Sequence, residues 1–249
     1  MQVRYAPANA KVRRLARRLG VFAYSFDMLS GVTCPAAEEC KSWAEVQDDG
    51  TRRIRDGKHT LFRCFSASQE AQYTNVFDFR EENTLAALGL AASSPMKCAT
   101  ALVNAIPDNA AVIRPHVSGD FKLLNYFDAW LEVCNRRPDI RFYAYTKMLT
   151  HWIKRMDDIP PNLALTASRG GKFDHLAAEY GLRESVVVYS EQQAADLGLE
   201  IDHDDYHAYS LTGGSFALLI HGTQPAGSEA GKAVRKLRGN GSYNRKVLA

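Results

Sequence analysis

Cys34, Cys40 and Cys64 stand early in the chain at C-x5-C-x23-C, and a later strand candidate runs straight into Ser118-Gly119-Asp120. Thiolates are soft ligands that suit zinc or iron–sulfur clusters. Three of them fall one short of a closed zinc site, which a histidine such as His59 would have to complete. The same three suit a four-iron cluster whose fourth iron stays open to a ligand. Asp120 can accept hydrogen bonds from an ammonium group or act as a general base; it can equally cap a helix beginning near Leu123. A thiol set beside a polar glycine turn reads as an enzyme that holds a metal or cluster next to a small polar cofactor. Three unrelated buried thiols are the competing reading. Cys98 and Cys134 fall on helical faces and read as core.

Strand ends are what such side chains need, and the sequence supplies them in series. Residues 8–19 read as a helix stopped by Gly20, and 21–26 as a first buried strand. Residues 48–58 are polar and turn-rich, an exposed hairpin or loop. Two helices are expected near 79–92 and 96–105. Strands follow at 111–117, 140–145, 163–167, 185–189 and 216–221, separated for the most part by stretches of helix length. The clearest is 123–135, where Leu123, Tyr126, Phe127, Trp130, Leu131 and Cys134 share one face. This rhythm predicts an α/β fold, a complete or partial parallel (β/α) TIM-like barrel with an N-terminal helix. One domain over 1–249 is expected, with about 222–249 as a basic C-terminal extension.

In such folds the functional side chains gather at the carboxyl ends of the strands. Those ends read 116–120, 145–147, 166–171, 189–191 and 221–224, all polar. They nominate Lys147, Ser168, Ser190 and His221 beside Ser118, Gly119 and Asp120; any one of them alone is also what a helix cap looks like. Asp202-His203-Asp204-Asp205, with His207 nearby, is dense in metal ligands and proton-transfer groups, and reads otherwise as an acidic surface turn.

A hydrophobic share of 46% and a charged share of 24% are ordinary for a globular protein, and no run approaches a membrane span. The first residues lack the apolar core of a signal peptide, so a cytoplasmic location is expected. There, five cysteines argue for metal binding or free thiols rather than disulfides. Net charge is only +3, but Lys11, Arg13, Arg14, Arg17 and Arg18 crowd one end. Lys232, Arg235, Lys236, Arg238, Arg245 and Lys246 crowd the other. Such ends could contact DNA or RNA through phosphates, or be solvated faces.

The segments 34–40, 63–70, 116–121 and 142–147 resemble the phage protein family called gene product 88, which would place the protein in the host cytoplasm. The order of cysteine loop, strand with a Gly-acid turn, helix, and strand ending in Thr-Lys is similar to radical S-adenosylmethionine enzymes. Those enzymes space their cysteines C-x3-C-x2-C. The resemblance implies a [4Fe-4S] cluster on Cys34, Cys40 and Cys64, and S-adenosylmethionine whose amino group meets Ser118, Gly119 and Asp120. Lys147, Ser168, Ser190 and His221 would then line the cofactor and substrate side, with a nucleic acid or nucleotide as substrate. A rival resemblance, to the tRNA-guanine transglycosylase superfamily, implies zinc and a base-exchange reaction. There Asp120 would act with one of Asp202, Asp204 or Asp205, of which Asp204 is the residue selected. A third expectation is a non-catalytic, metal-stabilised nucleic-acid-binding protein.

Overall fold

A computed structural model describes residues 2–7 and 9–237. The chain opens with β1 (Ala6–Pro7), then α1 (Ala10–Leu19), β2 (Ala23–Phe26) and a hairpin of β3 (Ser42–Val46) and β4 (Arg52–Asp56). Three helices follow, α2 (Phe65–Gln72), α3 (Thr74–Ser93) and α4 (Pro95–Asn104). Alternation then sets in with β5 (Val112–Pro115), α5 (Leu124–Arg136), β6 (Arg141–Thr146), α6 (Leu149–Lys154), a 3-10 turn (Met156–Asp158) and β7 (Leu163–Ser168). It continues through α7 (Asp174–Glu179), β8 (Glu184–Val188), α8 (Glu191–Asp196), α9 (Tyr206–Tyr209), β9 (Phe216–Leu219) and α10 (Glu229–Leu237).

Seven strands form one sheet in the order β1-β2-β5-β6-β7-β8-β9. All pairs are parallel except β1 with β2. The fold is therefore α/β with a mostly parallel sheet, as expected. The closed form of the barrel is corrected: among the described residues the sheet stays open. Its two edges are covered by other segments rather than by each other. β1 pairs against β2 on one side, and Ile201 bridges to Ala217 of β9 on the other. Covered edges need no closure to satisfy their backbone groups.

Strand β7 is buried on both faces because helices cover both sides of the sheet. One face packs Phe26, Ile113, Phe142 and Leu165 against α3, α4 and α5, with Tyr126, Phe127, Trp130 and Cys134 of α5 buried as the sequence pattern requires. Cys98 and Cys134 are fully buried there. The opposite face receives α1 and α9: Val12, Leu15 and Ala208 pack on Ala23, Val112, Tyr143 and Phe216. Asn9 caps α1 by accepting from the Lys11 and Val12 amides, so the helix begins at Ala10.

The hairpin expected near 48–58 is formed by β3 and β4. Helix α2 is not among the helices expected from the sequence. Residues 229–237, assigned above to a basic extension, are α10, whose Ala230 and Ala233 pack with Ile220, Phe62 and Val187. Arg238, Arg245 and Lys246 lie outside the described residues. No helix among the described residues is long and apolar enough to cross a membrane.

Candidate functional site

Ser42 explains how two cysteines 24 positions apart in sequence become neighbours. Its Oγ donates to the Cys40 carbonyl at 3.3 Å and accepts from the Cys64 amide at 2.9 Å. The β3–β4 hairpin is a detour. The chain leaves after Lys41 and returns at Gly57, whose amide bonds the Lys41 carbonyl at 2.8 Å, and the Leu61 amide bonds the Glu39 carbonyl at 2.8 Å. Cys64 then stands at the head of α2. Lys41 closes the loop from within, its Nζ donating to the carbonyls of Gly31 at 2.6 Å and Cys34 at 2.7 Å.

Gly31 makes that loop possible. Its φ is +65°, and a Cβ there would overlap the Ser42 carbonyl. Gly31→Ala is expected to cost about 2–3 kcal/mol through strain and overlap. Urea unfolding of the variant beside wild type checks this.

The cysteine loop docks on the end of β7, where the amides of Glu38 and Glu39 both donate to the Gly170 carbonyl at 3.1 Å. The β7 end is fixed in turn by Lys147, whose Nζ donates to Ser168 O at 2.8 Å, Ser168 Oγ at 3.1 Å and the Arg169 carbonyl. All three ammonium protons are thus spent on holding β6 to β7. Lys147 thus positions a wall of the strand ends.

The turn after β5 is held as tightly. Asp27 Oδ1 accepts from the amides of Val117 at 2.9 Å and Ser118 at 3.3 Å. Ser118 Oγ donates to Glu70 at 3.0 Å, and Glu70 also takes the Ser30 amide and hydroxyl and the Arg80 guanidinium. Gly119 has a φ of +94°, and a Cβ would lie 2.8 Å from Thr33 Oγ1. Asp120 Oδ1 accepts from the Phe121 amide at 2.7 Å and from Thr146 Oγ1 at 2.6 Å, while Oδ2 accepts only the Lys147 amide at 2.9 Å. Burial raises the Asp120 pKa against those hydrogen bonds. The oxygen with a single partner retains capacity for one more donor.

One pocket of about 370 Å³ collects these groups: Cys34, Cys40, Cys64, Ser118, Gly119, Asp120, Lys147, Ser168 and His221 all line it. Two selected residues are not there. Ser190 caps α8, accepting from the Gln193 amide at 3.1 Å, and faces a separate open cavity beside Lys232. Asp204 pairs with Arg18 at 3.0 Å and does not line the pocket. Its neighbour Asp205 reaches the pocket instead, because a φ of +63° there turns the side chain inward. His59 is exposed on the turn after β4.

Residues that the sequence reading passed over complete the pocket. Arg114 and Lys11 line it and pair with Asp205 at 2.7 Å and 3.0 Å. Arg114 had a signal, being a lone charge inside an apolar strand. Glu70 had none, since its helix was not anticipated.

The thiols respond to this setting. Burial raises the Cys34 pKa well above its ordinary value, and nearby Asp120, Cys64 and Cys40 raise it further. Burial and Cys40 push Cys64 up to about 11. Cys34 and Cys64 therefore stay protonated until a cation arrives, and cation binding to them must release protons. Among the described residues no three His, Cys, Asp or Glu side chains converge to hold one metal ion. An iron–sulfur cluster asks for something else, since each thiolate binds a different iron. Among the described residues three cysteines line this pocket and no fourth does.

His116 sits under the turn at a φ of +64°, its Nε2 3.0 Å from the Tyr126 hydroxyl. Burial, then Arg114, lowers its pKa to about 3. The unfolded chain takes up a proton near pH 6.5 that folded His116 refuses, so stability falls as pH drops below 6.5 and continues to fall to about pH 3. This slope is about 1.4 kcal/mol per pH unit. Urea midpoints at pH 7 and pH 5 should show it, and His116→Asn, which tolerates the left-handed backbone, should flatten it.

A family model described as gene product 88 matches residues 5–238. The chain belongs to the phage gene product 88 family. No curated protein and no solved structure matches it. The gene product 88 match spans the cysteine loop, the Ser118–Asp120 turn and α10 alike.

Proposed function

We propose that this gene product 88 protein is an iron–sulfur enzyme of the radical S-adenosylmethionine type, acting on a nucleotide or a nucleic-acid component. One observation carries the reading: three cysteines drawn from a 31-residue stretch line the same pocket as a Gly-acid turn, at the carboxyl ends of parallel strands. The sequential order of β2 and β5 through β9 supports a partial barrel as the frame.

Cys34, Cys40 and Cys64 would hold a [4Fe-4S] cluster, and Asp120 Oδ2 with Ser118 would receive the cofactor's amino group. When bound and reduced, the pair supplies cleavage of a sulfonium carbon–sulfur bond and thereby hydrogen abstraction from the substrate. The chain's own residues orient and enclose. Glu70 fixes the Ser118 hydroxyl, Lys147 fixes the Ser168 wall, and Lys41 fixes the loop that carries Cys34. His221, stacked on Phe65 at 4.8 Å, is kept neutral by burial and by Lys11 and Arg114, with a pKa near 4.

Anaerobic purification followed by iron and sulfide analysis tests the proposal. A brown protein carrying about four irons and four sulfides per chain is expected. A colourless protein holding zinc, or no metal after anaerobic reconstitution, overturns it.

A further inference from the structure

The inner end of the pocket carries a second chemistry. Arg114 lies within β5, four residues before Ser118, so it enters the pocket from beneath the strand ends that bear the turn and the cysteine loop. Lys11 enters beside it from the first turn of α1, and Asn9 and Ala10 line the same wall. Asp205 faces both cations. Its Oδ2 accepts from Arg114 at 2.7 Å and from the Tyr143 hydroxyl at 3.0 Å; its Oδ1 meets Lys11 at 3.0 Å and the Tyr145 hydroxyl at 3.3 Å.

Four donors on one carboxylate leave donor capacity over. Arg114 has five N–H groups and gives its hydrogen bond to Asp205 through one nitrogen; its Nε is buried with no partner among the described residues. The first turn of α1 contains no acidic residue, so its positive dipole end adds to the same field. Asp202, 3.9 Å from Lys11, faces the ammonium from the segment before α9, and burial raises its pKa. Among the described residues Asp205 and Asp202 face Lys11, and Asp205 and Asp27 act on Arg114, so what the subsite offers an anion is the Arg114 N–H groups that Asp205 does not take.

We infer that the inner end of the pocket is an anion subsite, where Arg114, Lys11 and the amino end of α1 hold a phosphate or carboxylate of the substrate. The inference rests on the proposed function in assigning the anion to the substrate, since the cysteine and Asp120 end is given to cofactors there.

Calorimetry on the full, cluster-free chain tests this with UMP, AMP, uridine, adenosine, inorganic phosphate and S-adenosylmethionine as probes. At least one monophosphate is expected to bind about tenfold more tightly than its nucleoside, the scale of one charge-assisted contact. Arg114→Gln should erase that preference. Asp205→Asn should enlarge it severalfold, because it removes the competing carboxylate at a backbone conformation that suits asparagine. Inorganic phosphate should also raise the melting temperature of Asp205→Asn more than that of wild type. Equal binding of nucleosides and monophosphates overturns the inference, as does a preference that survives Arg114→Gln or shrinks in Asp205→Asn. A loss in Arg114→Gln confined to S-adenosylmethionine overturns it too, by giving the anion to the cofactor. Should Arg114→Gln fail to fold, Lys11→Gln reads the same loss. Iron uptake is followed separately: a chain that never takes up iron yet keeps the phosphate preference overturns the proposed function and leaves the subsite standing.

Discussion

Cys34→Ser, Cys40→Ser and Cys64→Ser are each expected to lower cluster iron after anaerobic reconstitution to about a tenth of wild type or less. The reason is that no fourth thiol stands in the pocket among the described residues. The nearby carboxylates are hard oxygen donors already tied down, Asp120 across β5 and β6 and Asp205 with its cations, and His116 is bonded to Tyr126. A serine hydroxyl is too hard and too weakly acidic to replace a thiolate. Cys98→Ala is the contrast. Cys98 is fully buried against α3 and donates to the Ala87 carbonyl at 3.4 Å, so its loss should lower the melting temperature while leaving the iron content intact. Iron and sulfide assays with visible absorption on all four variants separate the two classes. Equal iron in the three pocket variants and wild type would remove the cluster from this pocket.

The convergence of those cysteines was half legible in the sequence. Residue types pointed to one soft-ligand set, and the polar run 48–58 pointed to a hairpin. What joined them was invisible: the Ser42 hydroxyl that links the Cys40 carbonyl to the Cys64 amide, and the glycine at 31 whose missing side chain admits Ser42. The strands were legible because buried parallel strands are apolar runs bounded by polar ends. The roles of the polar ends were not, since a strand-end serine has the same composition whether it caps a helix, as Ser190 does, or lines a pocket, as Ser168 does. Asp204 and Asp205 differ by one position and one backbone conformation. A left-handed residue in a turn decides which carboxylate faces inward, and nothing in Asp-His-Asp-Asp announces it. The open sheet has a similar origin: rhythm predicts parallel neighbours, but edge coverage depends on the short pairings at Ala6 and Ile201.

Glu70→Ala is expected to cost about 3–5 kcal/mol, because it leaves the Arg80 guanidinium buried without its carboxylate. Arg80 and Glu70 are 4% and 1% exposed, and the guanidinium is 2.9 Å from Glu70 Oε1. Replacing both by methionine should recover part of that loss, since two apolar chains of similar volume avoid the desolvation of either charge but leave the buried Ser30 and Ser118 donors without their acceptor. Stability and function should then part. Glu70 is also the acceptor for the Ser30 amide and hydroxyl at the root of the cysteine loop, and for the Ser118 hydroxyl in the turn. The double variant should melt above Glu70→Ala and below wild type, and bind S-adenosylmethionine more weakly, because Ser118 and Ser30 have lost the group that orients them. Arg80→Met alone keeps that acceptor but leaves it an uncompensated buried anion, so it should be the least stable of the charge variants alongside Glu70→Ala. Urea unfolding beside calorimetry on the reconstituted protein distinguishes the roles. If the double variant binds the cofactor as wild type does, the ion pair is a core element with no part in positioning the turn.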